Sequence, residues 1–122
     1  MGNRRIIFKN LRKFVFTNGS KEHVKNITTS LGIDDQFENV FDIVDAEYNP
    51  KPAAKGFDLM LEKFKIDPKE TLYIEDIAKN LSIGKQRGTT TAWLIASYFG
   101  LSRDPKIIED LIRPNILIPI LC

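Results

Sequence analysis

Three kinds of group suited to phosphate chemistry recur along this sequence: the hydroxyl of Thr17, the ammonium of Lys51 and the paired carboxylates of Glu75 and Asp76. Thr17 closes the apolar run Phe14-Val15-Phe16 and is followed by Asn18, Gly19 and Ser20. A buried strand that stops on such residues leaves a hydroxyl, loose backbone N–H groups and a helix N-terminus at one point, and all three favour an anion. Gly19 lets the backbone turn sharply there. An ordinary strand-to-helix connection with Ser20 as N-cap would read the same way. Each of the other groups also has a plain alternative: Lys51 as a solvated side chain, Glu75 and Asp76 as acids favouring the start of the next helix.

The elements around these residues decide whether they meet. Residues 14–17 are continuously apolar, as in a buried parallel strand. Ser20 then caps a helix reaching about residue 31, with Val24, Ile27 and Leu31 on one face and Gly32 as its stop. Residues 41–44 read as a second strand ending on Asp45. Asn49-Pro50-Lys51-Pro52 must be extended, and Pro52 suits the first position of a helix whose apolar face is Phe57, Met60, Leu61 and Phe64. Residues 71–74 form a third strand ending on Glu75 and Asp76, followed by a helix over 78–87 closed by Gly88. A fourth strand spans 89–95, a last helix 104–113, and residues 116–121, interrupted by Pro119, would make an edge strand at best. Strands alternating with helices predict a parallel α/β sheet, which places ligands at the carboxyl ends of its strands. Thr17, Asp45, Lys51, Glu75 and Asp76 all fall on that side.

The whole chain narrows the classes of function. Its 122 residues suit one domain with a real core. Eighteen basic residues against 16 acidic ones, scattered along the chain, argue for neither nucleic acid nor an anionic membrane surface. Cys122 is the only cysteine and His23 the only histidine, so there is no disulfide framework or metal-binding cysteine cluster, which suits a cytoplasmic protein. No apolar run approaches the roughly 20 residues of a membrane span.

Phe16-Thr17-Asn18-Gly19, Asn49-Pro50-Lys51-Pro52, Tyr73-Ile74-Glu75-Asp76 with Asn80, and the run from Gly88 to Thr91 resemble, in that order, the motifs of the haloacid dehalogenase-like (HAD) phosphohydrolases. Within that superfamily they are most similar to the pyrimidine 5'-nucleotidase branch. The resemblance is strongest over residues 13–95. It implies a three-layer Rossmann-like parallel sheet with helices on both faces, and a nucleoside monophosphate as the phosphorylated small-molecule substrate. It further implies that Thr17, with the N–H of Asn18 and the turn at Gly19, binds the phosphoryl oxygens, and that Lys51 neutralises their charge. Asp76, helped by Glu75, would hold Mg²⁺, a hard ion that takes one or two carboxylates plus water and phosphate oxygens. Asn80 would brace that loop.

One family motif is missing. The chemistry of these enzymes uses an Asp-x-Asp pair near the N-terminus, and no two aspartates here (34, 35, 42, 45, 58, 67, 76, 104 and 110) are separated by a single residue. The family's cap segment is missing as well. The resemblance therefore implies a truncated form, inactive alone, that lacks the family's first and central strand. The alternative is a non-catalytic phosphate-binding or interaction module. The absent strand would lie between those ending at Thr17 and Glu75, so those two would pair directly, or another chain or a second copy would supply the missing strand.

Overall fold

The computed structural model describes residues 11–94 and 113–119. In chain order the elements are β1 (Arg12–Phe16), α1 (Lys21–Leu31), β2 (Asn39–Phe41), α2 (Ala54–Phe64), β3 (Thr71–Glu75), α3 (Leu81–Arg87), β4 (Thr90–Trp93) and β5 (Asn115–Ile118). Single 3₁₀ turns at Asp34–Gln36, Pro68–Glu70 and Ala78–Asn80 lead into β2, β3 and α3. All five strands lie parallel in one sheet, in the order β2-β1-β5-β3-β4. The sheet is thus the α/β, Rossmann-like architecture expected. No helix among the described residues is long and apolar enough to cross a membrane. The helix expected over 104–113 falls almost wholly outside the described residues.

Local chemistry sets the ends of the helices. Ser20 Oγ accepts the His23 N–H at 3.1 Å and caps α1, while Gly32, at φ 70°, ends it. The buried stripe of α1 runs through Val24 and Thr28, not Val24, Ile27 and Leu31 as expected; Leu31 is 65% exposed. Pro52 does not open α2. Ala53 donates to Pro50 O at 2.9 Å, closing a turn, and the helix starts at Ala54. Gly56 then lies so close to the preceding loop that a Cβ there would sit 2.4 Å from Asn49 O, so a side chain would push away the loop that carries Lys51.

The second strand lies earlier than the 41–44 expected, spanning Asn39–Phe41 and overlapping that stretch only at Phe41. Asp42 and Asp45 close the following turn reciprocally: each carboxylate accepts the other's backbone N–H at 3.0 Å. Lys21 of α1 and Lys63 of α2 both reach Asp45, each at 2.9 Å. Burial alone would push the Asp45 carboxyl up, but the Asp42 N–H and the two ammonium groups outweigh it and hold the group at about 2. Asp45 is thereby committed to tying α1 and α2 to the loop.

Right-handed crossovers place α1 on one face, because β1 to β2 runs one way across the sheet, and α2 and α3 on the other, because β2 to β3 to β4 runs back. The packing agrees. Phe57, Met60 and Phe64 of α2 and Ile83 of α3 join Phe14, Phe16, Phe41, Tyr73 and Leu117 in one core cluster, from which Val15 and Val24 are absent although both are buried. Six aromatic ring contacts lace this face, among them the stacked rings of Phe14 and Phe64, 5.0 Å apart.

The central position is the main departure from expectation. The strands ending at Thr17 and Glu75 do not pair directly. The chain's own β5 lies there, with Lys13 opposite Ile116 and Phe14 opposite Leu117 on one side, and Leu72 opposite Ile116 and Tyr73 opposite Leu117 on the other. A segment expected at the edge is the middle of the sheet. Pro119 permits this because it follows the strand and removes no ladder donor from within it. An open slot would strand several backbone groups, at about 1–3 kcal/mol each if buried. Leu117→Ala should therefore cost about 2–5 kcal/mol in denaturant unfolding, the range for truncating a core leucine; a loss below about 1 kcal/mol would mean that β5 is peripheral.

Candidate functional site

Sheets of this topology bind ligands at the carboxyl ends of the strands where the chain's direction across the sheet reverses. Here that point lies between β1 and β3, over the end of β5. Lys51 reaches it from the β2–α2 loop. Its ammonium donates to Phe16 O at 3.0 Å, forms an ion pair with Glu75 Oε1, and lies 5.3 Å from the centroid of the Phe16 ring. The Lys51 side chain is 6% exposed and that of Glu75 is 0%.

Burying two charges is tolerable only when their remaining hydrogen-bonding capacity is met. Glu75 Oε2 accepts the Ile77 N–H at 3.1 Å, and Asn80, itself buried, donates to Oε1 at 3.4 Å. Glu75 also raises the phenol of buried Tyr73 on the same strand well above its ordinary range, although burial is the larger cause, so Tyr73 stays neutral.

Thr17 continues the ladder beyond β1, donating its N–H to Phe41 O at 3.1 Å, and its hydroxyl oxygen accepts the Gly19 N–H at 3.0 Å. That bond curls residues 17–19 into a tight turn at the mouth of the site. The Asn18 side chain has a role that the sequence reading missed. Its Oδ1 accepts the Lys51 N–H at 2.7 Å and its Nδ2 donates to Lys51 O at 3.4 Å, so one amide clasps the Lys51 backbone from both sides. The carboxamide next to Thr17 was the available signal, since only a side chain with both donor and acceptor can close such a pair. Among the described residues the Asn18 N–H enters no hydrogen bond. The α1 N-terminus, by contrast, is already partly satisfied: Asp42 Oδ2 accepts the Lys21 N–H at 3.0 Å and Ser20 accepts that of His23. Fewer donors are therefore open at the helix end than its position alone would suggest.

Glu75 and Asp76 are adjacent in sequence but differ in role. Glu75, expected to help hold a metal, is committed to Lys51, Ile77 and Asn80. Asp76 is half-buried, its carboxylate enters no hydrogen bond or ion pair among the described residues, and its carbonyl accepts the Trp93 indole N–H at 2.9 Å. Among the described residues no group of three or more His, Cys, Asp or Glu side chains could hold a metal ion. With Glu75 spent, a single uncommitted carboxylate remains, and these residues do not by themselves form a Mg²⁺ site.

Among the described residues no carboxylate or hydroxyl side chain stands at the end of the central strand. Val15 pairs with Ile118 and Tyr73 with Leu117, so continuing both registers sets Pro119 level with Phe16 and Glu75. The position that continues the central strand, level with Phe16 and Glu75, is thus a proline, which carries neither carboxylate nor hydroxyl. Asp45 is held by Lys21 and Lys63 and is no substitute.

A parallel, Rossmann-like sheet with a fixed ammonium and a tight Thr-Asn-Gly turn at its switch point defines an α/β domain of the doubly wound kind. A family model of the haloacid dehalogenase-like hydrolases matches residues 7–88, two-thirds of the chain, and the chain belongs to that family. No curated protein matches it at a significant level.

Removing either partner of the buried pair leaves the other charge unmatched. Lys51→Met and Glu75→Gln should each cost about 3–5 kcal/mol in unfolding experiments, whereas the double variant should recover a large part of the summed loss. Losses that simply add would show that the pair is not coupled.

Proposed function

We propose that this domain binds the phosphoryl group of a nucleoside monophosphate between Lys51 and the Thr17–Gly19 turn, and that these 122 residues alone do not hydrolyse it. The observation that supports this best is the Lys51 ammonium, fixed between Phe16 O and Glu75 at the switch point of the sheet. The Asn18 N–H and Thr17 supply neutral polar groups beside that cation. Fixed donors and a cation stabilise the charge that phosphoryl transfer spreads over the equatorial oxygens, and they need no reorganisation to do so. Binding, orientation and charge neutralisation are therefore within reach of the chain's own residues.

The nucleophile is the missing function, since Pro119 stands where a reacting carboxylate would be required. On this reading the chain is the phosphate-holding part of a pyrimidine 5'-nucleotidase-like enzyme. A strand bearing Asp-x-Asp would have to come from another segment or chain and displace β5 to enter the central slot. Family-type use of Mg²⁺ would likewise need acids beyond Asp76.

Phosphate release from a panel of nucleoside monophosphates, with Mg²⁺ in the buffer, tests this. The chain alone should give none. Addition of a separately expressed Asp-x-Asp half should give turnover that is lost on Lys51→Ala. Turnover by the chain alone would contradict the proposal.

A further inference from the structure

Trp93 ends β4 directly opposite Glu75, in the same register row as the carboxylate that holds Lys51. It is the only tryptophan in the chain, and in the structure it is 52% exposed. An exposed indole on an edge strand is ordinarily free to rotate. This one is pinned, because its Nε1 donates to Asp76 O at 2.9 Å across the carboxyl ends of β3 and β4. Ile77, 48% exposed, follows Asp76 and adds apolar surface to the same stretch of rim. A rigid aromatic plane therefore stands in the row of Glu75, one strand spacing, about 4.8 Å, across from β3, on the side of the phosphate corner away from β1.

We infer that Trp93 is a specificity-determining residue that stacks on the base of the bound nucleotide, with Ile77 flanking it, while Lys51 and the Thr17–Gly19 turn hold the phosphate. This rests on the phosphate reading of the Lys51 corner and extends it to the other end of the ligand. The direction is set by the sheet: phosphate over β1 and β5, sugar past the uncommitted Asp76 carboxylate, and base over β3 and β4. Stacking fits the chemistry of the rim, which among the described residues around Trp93 offers an indole face and an isoleucine but no exposed amide side chain to read a base edge. The site should accordingly require a base and tolerate different ones, since every base has a π-face.

The chain's lone tryptophan supplies the readout. Uridine and cytidine 5'-monophosphate should quench its fluorescence on binding, and ribose 5-phosphate should bind more weakly without quenching. By calorimetry, Trp93→Ala should lower affinity for both nucleotides about tenfold, the scale expected for one base–aromatic stack, and leave affinity for ribose 5-phosphate unchanged. Its partly exposed edge position makes the variant compatible with folding, and Trp93→Phe should restore most of the affinity. Equal affinities for nucleotide and ribose 5-phosphate, indifferent to Trp93→Ala, would overturn the inference while sparing the phosphate site. Failure of all three ligands to bind would overturn the phosphate site and this inference together.

Discussion

The buried ion pair between Lys51 and Glu75 is the constraint on which the rest of this site depends. It joins parts of the chain that local structure would leave independent: the end of β1 through Phe16 O, the loop before α2 through Lys51, the end of β3 through Glu75, and the entry to α3 through Ile77 and Asn80. Such a pair contributes little net stability, because desolvation of both charges offsets most of their attraction. Its effect is positional. A lysine in water samples many rotamers, whereas this one is held at a single point with its backbone clasped by Asn18. The pair thus leaves a cation already in place at the switch point of the sheet, with Glu75 committed to holding it.

The second constraint is the filling of the sheet. A parallel sheet is buried on both faces and cannot leave its middle strand out without stranding backbone donors and acceptors. β5 meets that requirement with four residues, Asn115–Ile118, and Leu117 completes the aromatic face made by Phe14, Phe16, Phe41 and Tyr73. Structure and chemistry part company here, because the strand that satisfies the backbone ends in proline. The result is a domain with the sheet of a hydrolase family whose central strand, among the described residues, runs into a proline.

Much of the fold could be read from the sequence because its signals are local. Ser20 and Gly32 bracket α1, Gly88 closes α3, and the apolar runs ending at Thr17 and at Glu75 locate the ends of β1 and β3 within a residue, although β1 starts two residues before the run. What was misread depends on partners distant in sequence. Ile116 and its neighbours carry the same composition in an edge strand as in a central one; only the vacancy between β1 and β3 decides, and that is a property of the assembled sheet. The early end of β2 comes from the reciprocal Asp42 and Asp45 turn, which competes with strand for residues 42–45. The different surroundings of Glu75 and Asp76 were hidden for a related reason. Two adjacent acids look equivalent in sequence, but strand alternation turns Glu75 into the face where Lys51 waits and leaves Asp76 on the rim. The roles of Asn18 as a clasp and of Trp93 as a pinned plane likewise appear only when distant backbone groups come within 3.5 Å.

The central claim is that Lys51 and the Thr17–Gly19 turn together form a phosphate site. Titrating the ¹⁵N-labelled chain with inorganic phosphate, and following each backbone amide by two-dimensional NMR, tests it most directly. The account predicts a saturable shift led by the Asn18 amide and absent from Lys51→Met. No shift at Asn18, or the same shift in Lys51→Met, would contradict it.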